Sequence, residues 1–448
     1  MIGAERALEI AEKALAVEGA DEVEVTLFSE SGGLTRFADS IIHQHTERSD
    51  ARVKVRVVTG RRSAAVGTNR LDEDTIRRAG LRALEMARLS PPDDIFPGLP
   101  TDFGASLVPP AQDAKRFDGA TADASPAWRA ERVAEVVKAA GDRPAAGFFS
   151  TSADEVSLAN TNGVRRHTAF TIAAFTCMVR SGDGTAHHEC AAGRAADIPV
   201  VDLAEDLAHW ADRGQGAGDV SPGTYPVVLL PLAAGEMVEY LAYMGFGAKD
   251  VLNGESFFVD RQGQQVAAPR VSVVDDVAHP MSLGPAFDWE GVWRQRVAIL
   301  DAGAANQPVY DTRTAAEAGT TTTGHASGSQ EYGPYPANLF IAPGEQTTDE
   351  LASGIERGLL VRRFWYVNVV NQRETILTGM TRDGLFLIED GVVTKPVHNL
   401  RFTQSVLGTL AGCSGVGADL VCLSPGGGSL LAPALRLDAF TFTSATSH

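Results

Sequence analysis

Cysteine is scarce in this chain, with only Cys177, Cys190, Cys413 and Cys422 among 448 residues. None stands in CxxC spacing, so no dithiol redox motif or thiolate zinc knuckle is encoded, and reduced, mostly buried thiols are expected. Basic charge is also short: 39 Lys and Arg against 57 Asp and Glu leave a net charge of −18. That balance is wrong for unaided binding to a phosphate backbone or an anionic membrane, so neither nucleic acid nor membrane is expected as a partner. No 18-residue apolar run occurs, which argues against a membrane-spanning helix. The N-terminal stretch MIGAERALEIAEKALAVEGA scatters acids through an amphipathic helix where a signal peptide would need an unbroken apolar segment. A soluble cytoplasmic protein is predicted.

Familiar catalytic signatures are missing as well. There is no H-E-x-x-H, and Gly412-Cys413-Ser414-Gly415 does not form the G-x-S-x-G nucleophile elbow of serine hydrolases. Gly426 to Gly428 are glycine-rich but lack the following lysine of a phosphate-binding loop. No fixed-period repeat marks a solenoid or propeller.

What is present predicts an α+β fold in two or three domains, since the chain is too long for one ordinary core. Residues 1–90 read as an N-terminal domain, an antiparallel sheet with flanking helices. Its first helix spans residues 4–18, and strands follow at Val23–Leu27, Leu34–Phe37, Ile41–Thr46, Val53–Val58 and Ser63–Thr68. Asp72, Glu73 and Asp74 open a second helix to Leu89, acids favouring its positive end. Six prolines then interrupt residues 91–110, a linker or wrapping arm. Residues 111–220 read as a middle α/β unit, a helix plus a β-meander. Ser125-Pro126 launches the helix, Asn162-Gly163 marks a two-residue hairpin, and a helix near Asp202–Asp212 closes the unit. Residues 221–448 read as a β-rich C-terminal domain.

The stretch Tyr225–Asp250 predicts a buried strand leading into a helix. Met237, Val238, Leu241 and Met244 make a core stripe there, while Glu236, Tyr240 and Tyr243 line the other side. Thr312–Pro336 is long and irregular, and a binding loop is the natural reading. Within it Thr323, His325, Tyr332 and Tyr335 are candidate substrate contacts; for His325 a loop-pinning hydrogen bond is the competing role. His187-His188-Glu189-Cys190 looks like metal ligands, but neighbouring strand residues point to opposite faces. Glu205 and His209 share a helix face without a third ligand.

Several stretches together resemble the TldD/PmbA family of intracellular zinc-peptidase-related proteins. They include ADEVEVTLFSE, VRVVTGRRSAAVGTNRLDEDTI, SLANTNGVRR, GTYPVVLLP, FDWEGVWRQRVAILDAG, LFIAPGEQTTDEL and DGLFLIEDGVVTKPV. Their order spans almost the whole chain. The resemblance implies two kinds of protein. The TldD-like kind carries H-E-x-x-x-H on a helix, two histidines and a later cysteine binding zinc while the glutamate activates water. The TldE/PmbA-like kind lacks these residues and is the non-catalytic partner in a heterodimer that cleaves unfolded peptides or processes a modified one. Aligned on Gly235, this chain has Glu239, Tyr240 and Met244 where the catalytic kind has His, Glu and His, and Cys422 falls near the third ligand position. No histidine occurs in Tyr225–Asp250.

The resemblance therefore implies a pseudoenzyme subunit with no cofactor of its own, zinc being held by a TldD-like partner carrying H-E-x-x-x-H, and a peptide as substrate. Two alternatives stand beside it. One is a divergent metallopeptidase or amide hydrolase drawing ligands from Glu239, His325, His398 and Cys422. The other is an interaction or regulatory protein without a peptidase role.

Overall fold

The computed structural model describes residues 1–424 and 428–446. Most of the glycine run noted in SPGGGSL lies outside the described residues. The first helix, Ala4–Ala14, buries Ala7, Ile10 and Ala11. Two long strands follow, β1 (Glu22–Ala38) and β2 (Ile41–Thr59), then β3 (Arg62–Thr68). The separate short strands expected at Leu34–Phe37 and Ile41–Thr46 are continuous with their neighbours. Antiparallel pairing carries straight through Ser29–Arg36, with a register shift only after Arg36. Asp72 caps the helix Glu73–Leu89, its side chain accepting from the Thr75 amide.

Three further strands, β4 (Ala145–Asn160), β5 (Arg165–Ser181) and β6 (Gly184–Ala192), extend the same sheet. Its order is β3-β2-β1-β4-β5-β6. The expected division into residues 1–90 and 111–220 is therefore crossed by one continuous sheet: β1 pairs with β4 from Glu24↔Asn160 to Phe37↔Gly147. The physical reason is that a long strand in the middle of a sheet must have the backbone groups of both its edges paired, and β2 and β4 supply those partners along nearly its whole length. The Pro-rich segment wraps rather than links. Phe96 and Leu99 bury against Val58, and Val108 packs with Val277 and Ala286 of the C-terminal half. Helices Pro126–Ala140, capped by Ser125, and Val200–Arg213 cover one face of this sheet over Phe149, Phe175 and Cys177.

The C-terminal region is built on a closed barrel. Gly223–Leu229 pairs in parallel with Arg357–Asn371 and antiparallel with Leu435–Ala445. Leu435–Ala445 pairs with Leu400–Ser405, which pairs with Ile376–Glu389, and this last strand returns to Arg357–Asn371. Closure removes the exposed edges that an open sheet would leave. A second sheet stands beside the barrel. It includes Val273–Asp275, Asn338–Ile341, Ser429–Ala432 and Val421–Leu423.

Between barrel and second sheet lies the helix Pro231–Gly245. Proline at its first position supplies a preset φ where no amide partner is needed. Met237, Val238, Leu241 and Met244 are all buried in the large core, each contributing roughly 1.5–3 kcal/mol of apolar burial. Gly235 permits the approach: a Cβ there would stand 2.6 Å from Leu423 and 2.9 Å from Leu430. The helix is thus pressed onto the second sheet, and its rotation is fixed.

Candidate functional site: an acidic cavity facing the helix

The face of Pro231–Gly245 opposite the buried stripe lines a cavity of about 750 Å³. Glu236, Glu239, Tyr240 and Tyr243 form one wall, and Ala174, Thr176 and Glu189 of the N-terminal sheet face them. Tyr335, Arg363, Trp365 and Ser424 close the remaining sides. Arg363 is aimed by an ion pair, its Nε 2.7 Å from Asp383 Oδ2, and its guanidinium stacks 4.9 Å from the Trp365 ring. Asp383 also accepts from Thr185 Oγ1 at 2.8 Å, so one carboxylate joins the N-terminal sheet to the barrel beside the cavity.

Three carboxylates share this space with one guanidinium. Burial pushes Glu236 up to about 7 from an ordinary 4.5, with Glu239 and Glu189 adding to the rise and Arg363 opposing it. Glu239 is raised too, by burial and then by Glu189. Glu189 moves the other way, held down chiefly by His187, whose Nε2 lies 3.7 Å from Glu189 Oε2. Unequal protonation across the cavity, with Glu236 raised to about 7 and the facing Glu189 held low, gives it both hydrogen-bond donors and anionic acceptors near neutral pH. Tyr240 donates its hydroxyl to the Val367 carbonyl at 2.7 Å, which anchors the ring.

The residues aligned with the family's zinc helix separate cleanly. Glu239 and Tyr240 face the cavity, whereas Met244 is wholly buried in the core. Cys422 is buried among Ala191, Leu283 and Leu431, and lines a neighbouring, mainly apolar cavity of about 810 Å³. Burial pushes its thiol up to about 12, so it is no ready thiolate. A zinc ion in the cavity would find no histidine on this helix, and the weakly ligating Met244 thioether is buried in the core away from it. Among the described residues no group of three or more His, Cys, Asp or Glu side chains is disposed to hold a metal. These residues do not fit the zinc site of the catalytic kind.

The candidate loop contacts also divide. Its first part, Thr312–Ala318, is a short helix rather than loop, begun by an Asp311 capping box and ended by Gly319 in left-handed conformation. Tyr335 reaches the cavity, and Tyr332 lies exposed on the surface at 67%. Thr323 and His325 are interior instead of cavity-lining. His325 Nδ1 is 2.9 Å from Thr323 Oγ1, and its Nε2 is 3.0 Å from Asp275 Oδ1. Burial opposes the charge on Asp275, but His325 and Arg294 more than offset it and hold the carboxyl below its usual range. Pinning a buried loop, the competing role weighed for His325, is what this geometry supplies. His398 is exposed, so the four ligands imagined for a divergent enzyme do not converge. His187 and His188 diverge as strand alternation requires, with His188 lining the apolar cavity and pushed down to about 4 mainly by burial. Glu205 and His209 stay exposed on their helix. All four cysteines are free thiols.

Sequence reasoning missed Glu189, Arg363 and Trp365 as cavity residues. Glu189 was visible only as part of a metal-like cluster, and no local pattern marks the other two, because their strand meets the helix only through barrel closure.

Taken together, an N-terminal antiparallel sheet wrapped onto a barrel-containing C-terminal half defines an α+β protein. A family profile described as the PmbA/TldA metallopeptidase C-terminal domain matches residues 222–444. The chain belongs to the TldD/PmbA family. The fold is similar to the crystal structure of TldE from Thermococcus kodakarensis, with a TM-score of 0.87 over 98% of this chain and 99% of that one, at 20% identity. A metalloprotease of Methanothermobacter thermautotrophicus is 24% identical over 53% of this chain and 54% of its own length. A metalloprotease TldD homolog of Haemophilus influenzae is 26% identical over 45% of this chain and 42% of its own. The chain thus aligns with about half the length of these curated relatives. Among the described residues no helix is long and apolar enough to cross a membrane.

Two outcomes follow from the site. Below about pH 4.5 Glu236 is protonated folded or unfolded; as pH rises through 7 the folded state must ionise a buried carboxyl or keep a proton the unfolded chain has lost, and stability falls. Thermal melting should therefore show Glu236→Gln gaining on the native protein between about pH 5 and about pH 8.5; a pH-independent difference would count against the burial. His325→Ala should cost about 3–5 kcal/mol in urea unfolding, because Asp275 would be left buried without its partner. A loss under 1 kcal/mol would deny the pinning role.

Proposed function

We propose that this chain is the non-catalytic, TldE/PmbA-like subunit of a cytoplasmic heterodimeric metallopeptidase. In this reading it contributes a cavity that holds an extended peptide, and a TldD-like partner carrying H-E-x-x-x-H supplies the zinc and the hydrolytic water. The observation that carries it is the helix Pro231–Gly245, which turns Glu236, Glu239, Tyr240 and Tyr243 toward the cavity where the catalytic kind would present histidines. A carboxylate and a phenol there can bind and orient, but cannot by themselves hold a catalytic ion.

Chemically the cavity suits a peptide. Carboxylates Glu189 and Glu239 can accept from backbone amides or a cationic side chain, while Trp365 and Tyr243 offer flat apolar surface. Orientation and water exclusion are then this chain's share of the work. Likeness in fold to TldE of Thermococcus kodakarensis supports the reading, as does similarity to metalloproteases of other organisms.

Purification of the tagged chain from its native cells tests it. A paralogue containing H-E-x-x-x-H should co-purify in near-equal amount, and recovery of only monomer or homodimer, with no such paralogue in the genome, would overturn the proposal.

A further inference from the structure

Beside the acidic cavity lies a smaller one of about 310 Å³, and Glu239 and Tyr335 line both. Its unusual member is Arg294. This side chain is only 3% exposed, yet its Nε and Nη1 have no hydrogen-bond partner. The nearby acids do not use it. Asp275 accepts from the Asn338 amide at 2.7 Å and sits 3.0 Å from His325 Nε2. Asp288 accepts from the amides of Glu290, Val292 and Ala326 at 2.8–2.9 Å. Asp288 is thus satisfied on both oxygens by backbone amides and Asp275 on Oδ2 by Asn338, and neither carboxylate hydrogen-bonds Arg294, which each meets as a counter-charge. Ser429, on the same cavity, accepts through Oγ from Leu283 N and Asn338 Nδ2.

Buried donors without partners are costly, and a guanidinium facing a cavity is completed best by an incoming anion. We propose that this smaller cavity is a carboxylate pocket in which Arg294 holds a carboxylate of the bound peptide. Glu239 lines the pocket with Arg294, and Asp275 and Asp288 act on the same guanidinium from outside the lining, so an anion there meets acid as well as Arg294, which disfavours a phosphate dianion more than a carboxylate. The proposal rests on the reading above that a peptide occupies the adjoining cavity, and it adds a polarity to that peptide: a carboxylate at Arg294, with the chain running past Glu239 into the acidic space. The carboxylate is either the peptide C-terminus or an Asp or Glu side chain.

Fluorescence anisotropy on the full chain separates these cases, using one N-terminally labelled peptide sequence made as a free acid, as a C-terminal amide, and as an amide carrying one internal Glu. The native chain should bind one of the two carboxylate peptides about tenfold more tightly than the plain amide: the free acid if the terminus is read, the Glu-containing amide if the side chain is. Arg294→Gln should erase that preference while leaving plain-amide affinity unchanged, which also reports that the variant is folded; Arg294→Lys should keep part of it. Equal binding of all three by the native chain, or a preference that survives Arg294→Gln, would overturn the carboxylate pocket while leaving peptide binding intact. Failure of every peptide to bind would overturn the peptide reading and this inference with it.

Discussion

The burial of one helix stripe sets the rest of the site. Met237, Val238, Leu241 and Met244 are held in the core between barrel and second sheet, and Gly235 lets the helix sit against Leu423 and Leu430 without a Cβ in the way. A helix clamped on one side has no rotational freedom, so the residues on its other side are assigned to the cavity by geometry. The family's catalytic motif would divide differently on this frame: positions 239 and 240 face open space, whereas position 244 is committed to packing. Met244 suits the core as a flexible apolar filler, and that accommodation is incompatible with presenting a ligand.

The same clamp creates the electrostatics. Glu236, Glu239 and Glu189 are brought together by two units of the chain that meet through the Thr185–Asp383–Arg363 chain of contacts. Desolvation raises two of these carboxyls, and His187 keeps the third low. Arg363 on one side and Arg294 on the other leave the acidic wall between two buried or half-buried cations. Under the proposed function, such a space would distinguish the ends of a peptide by charge, a binding task that needs no metal chemistry of its own.

Much of this was legible in the residues. Ser125-Pro126 and Asp72 act locally through capping, and Asn162-Gly163 marks a hairpin turn, although the loop it closes is the three residues 161–163 rather than the expected two. The α+β class and the sided helix at 231–245 followed from periodicity. The single sheet spanning both N-terminal units did not, because the β1–β4 pairing joins residues over a hundred positions apart and no local pattern encodes it. The placement of the loop residues was also hidden. Thr323 and His325 sit in a stretch of glycine and threonine that looks exposed, yet the unseen Asp275, fifty residues earlier, draws His325 inside. Arg363 and Arg294 enter the site through barrel closure and sheet stacking, which depend on contacts distant in sequence.

The central claim is that this chain shapes a peptide cavity without performing hydrolysis, and the zinc content of the purified chain, alone and with its partner, tests it most directly. The account predicts negligible zinc on the chain alone and about one ion per heterodimer, removed by substituting the partner's motif histidines and retained when Glu239 and Cys422 of this chain are replaced. Near-stoichiometric zinc on the isolated chain, lost together with peptidase activity on substituting Cys422 or His325, would contradict it.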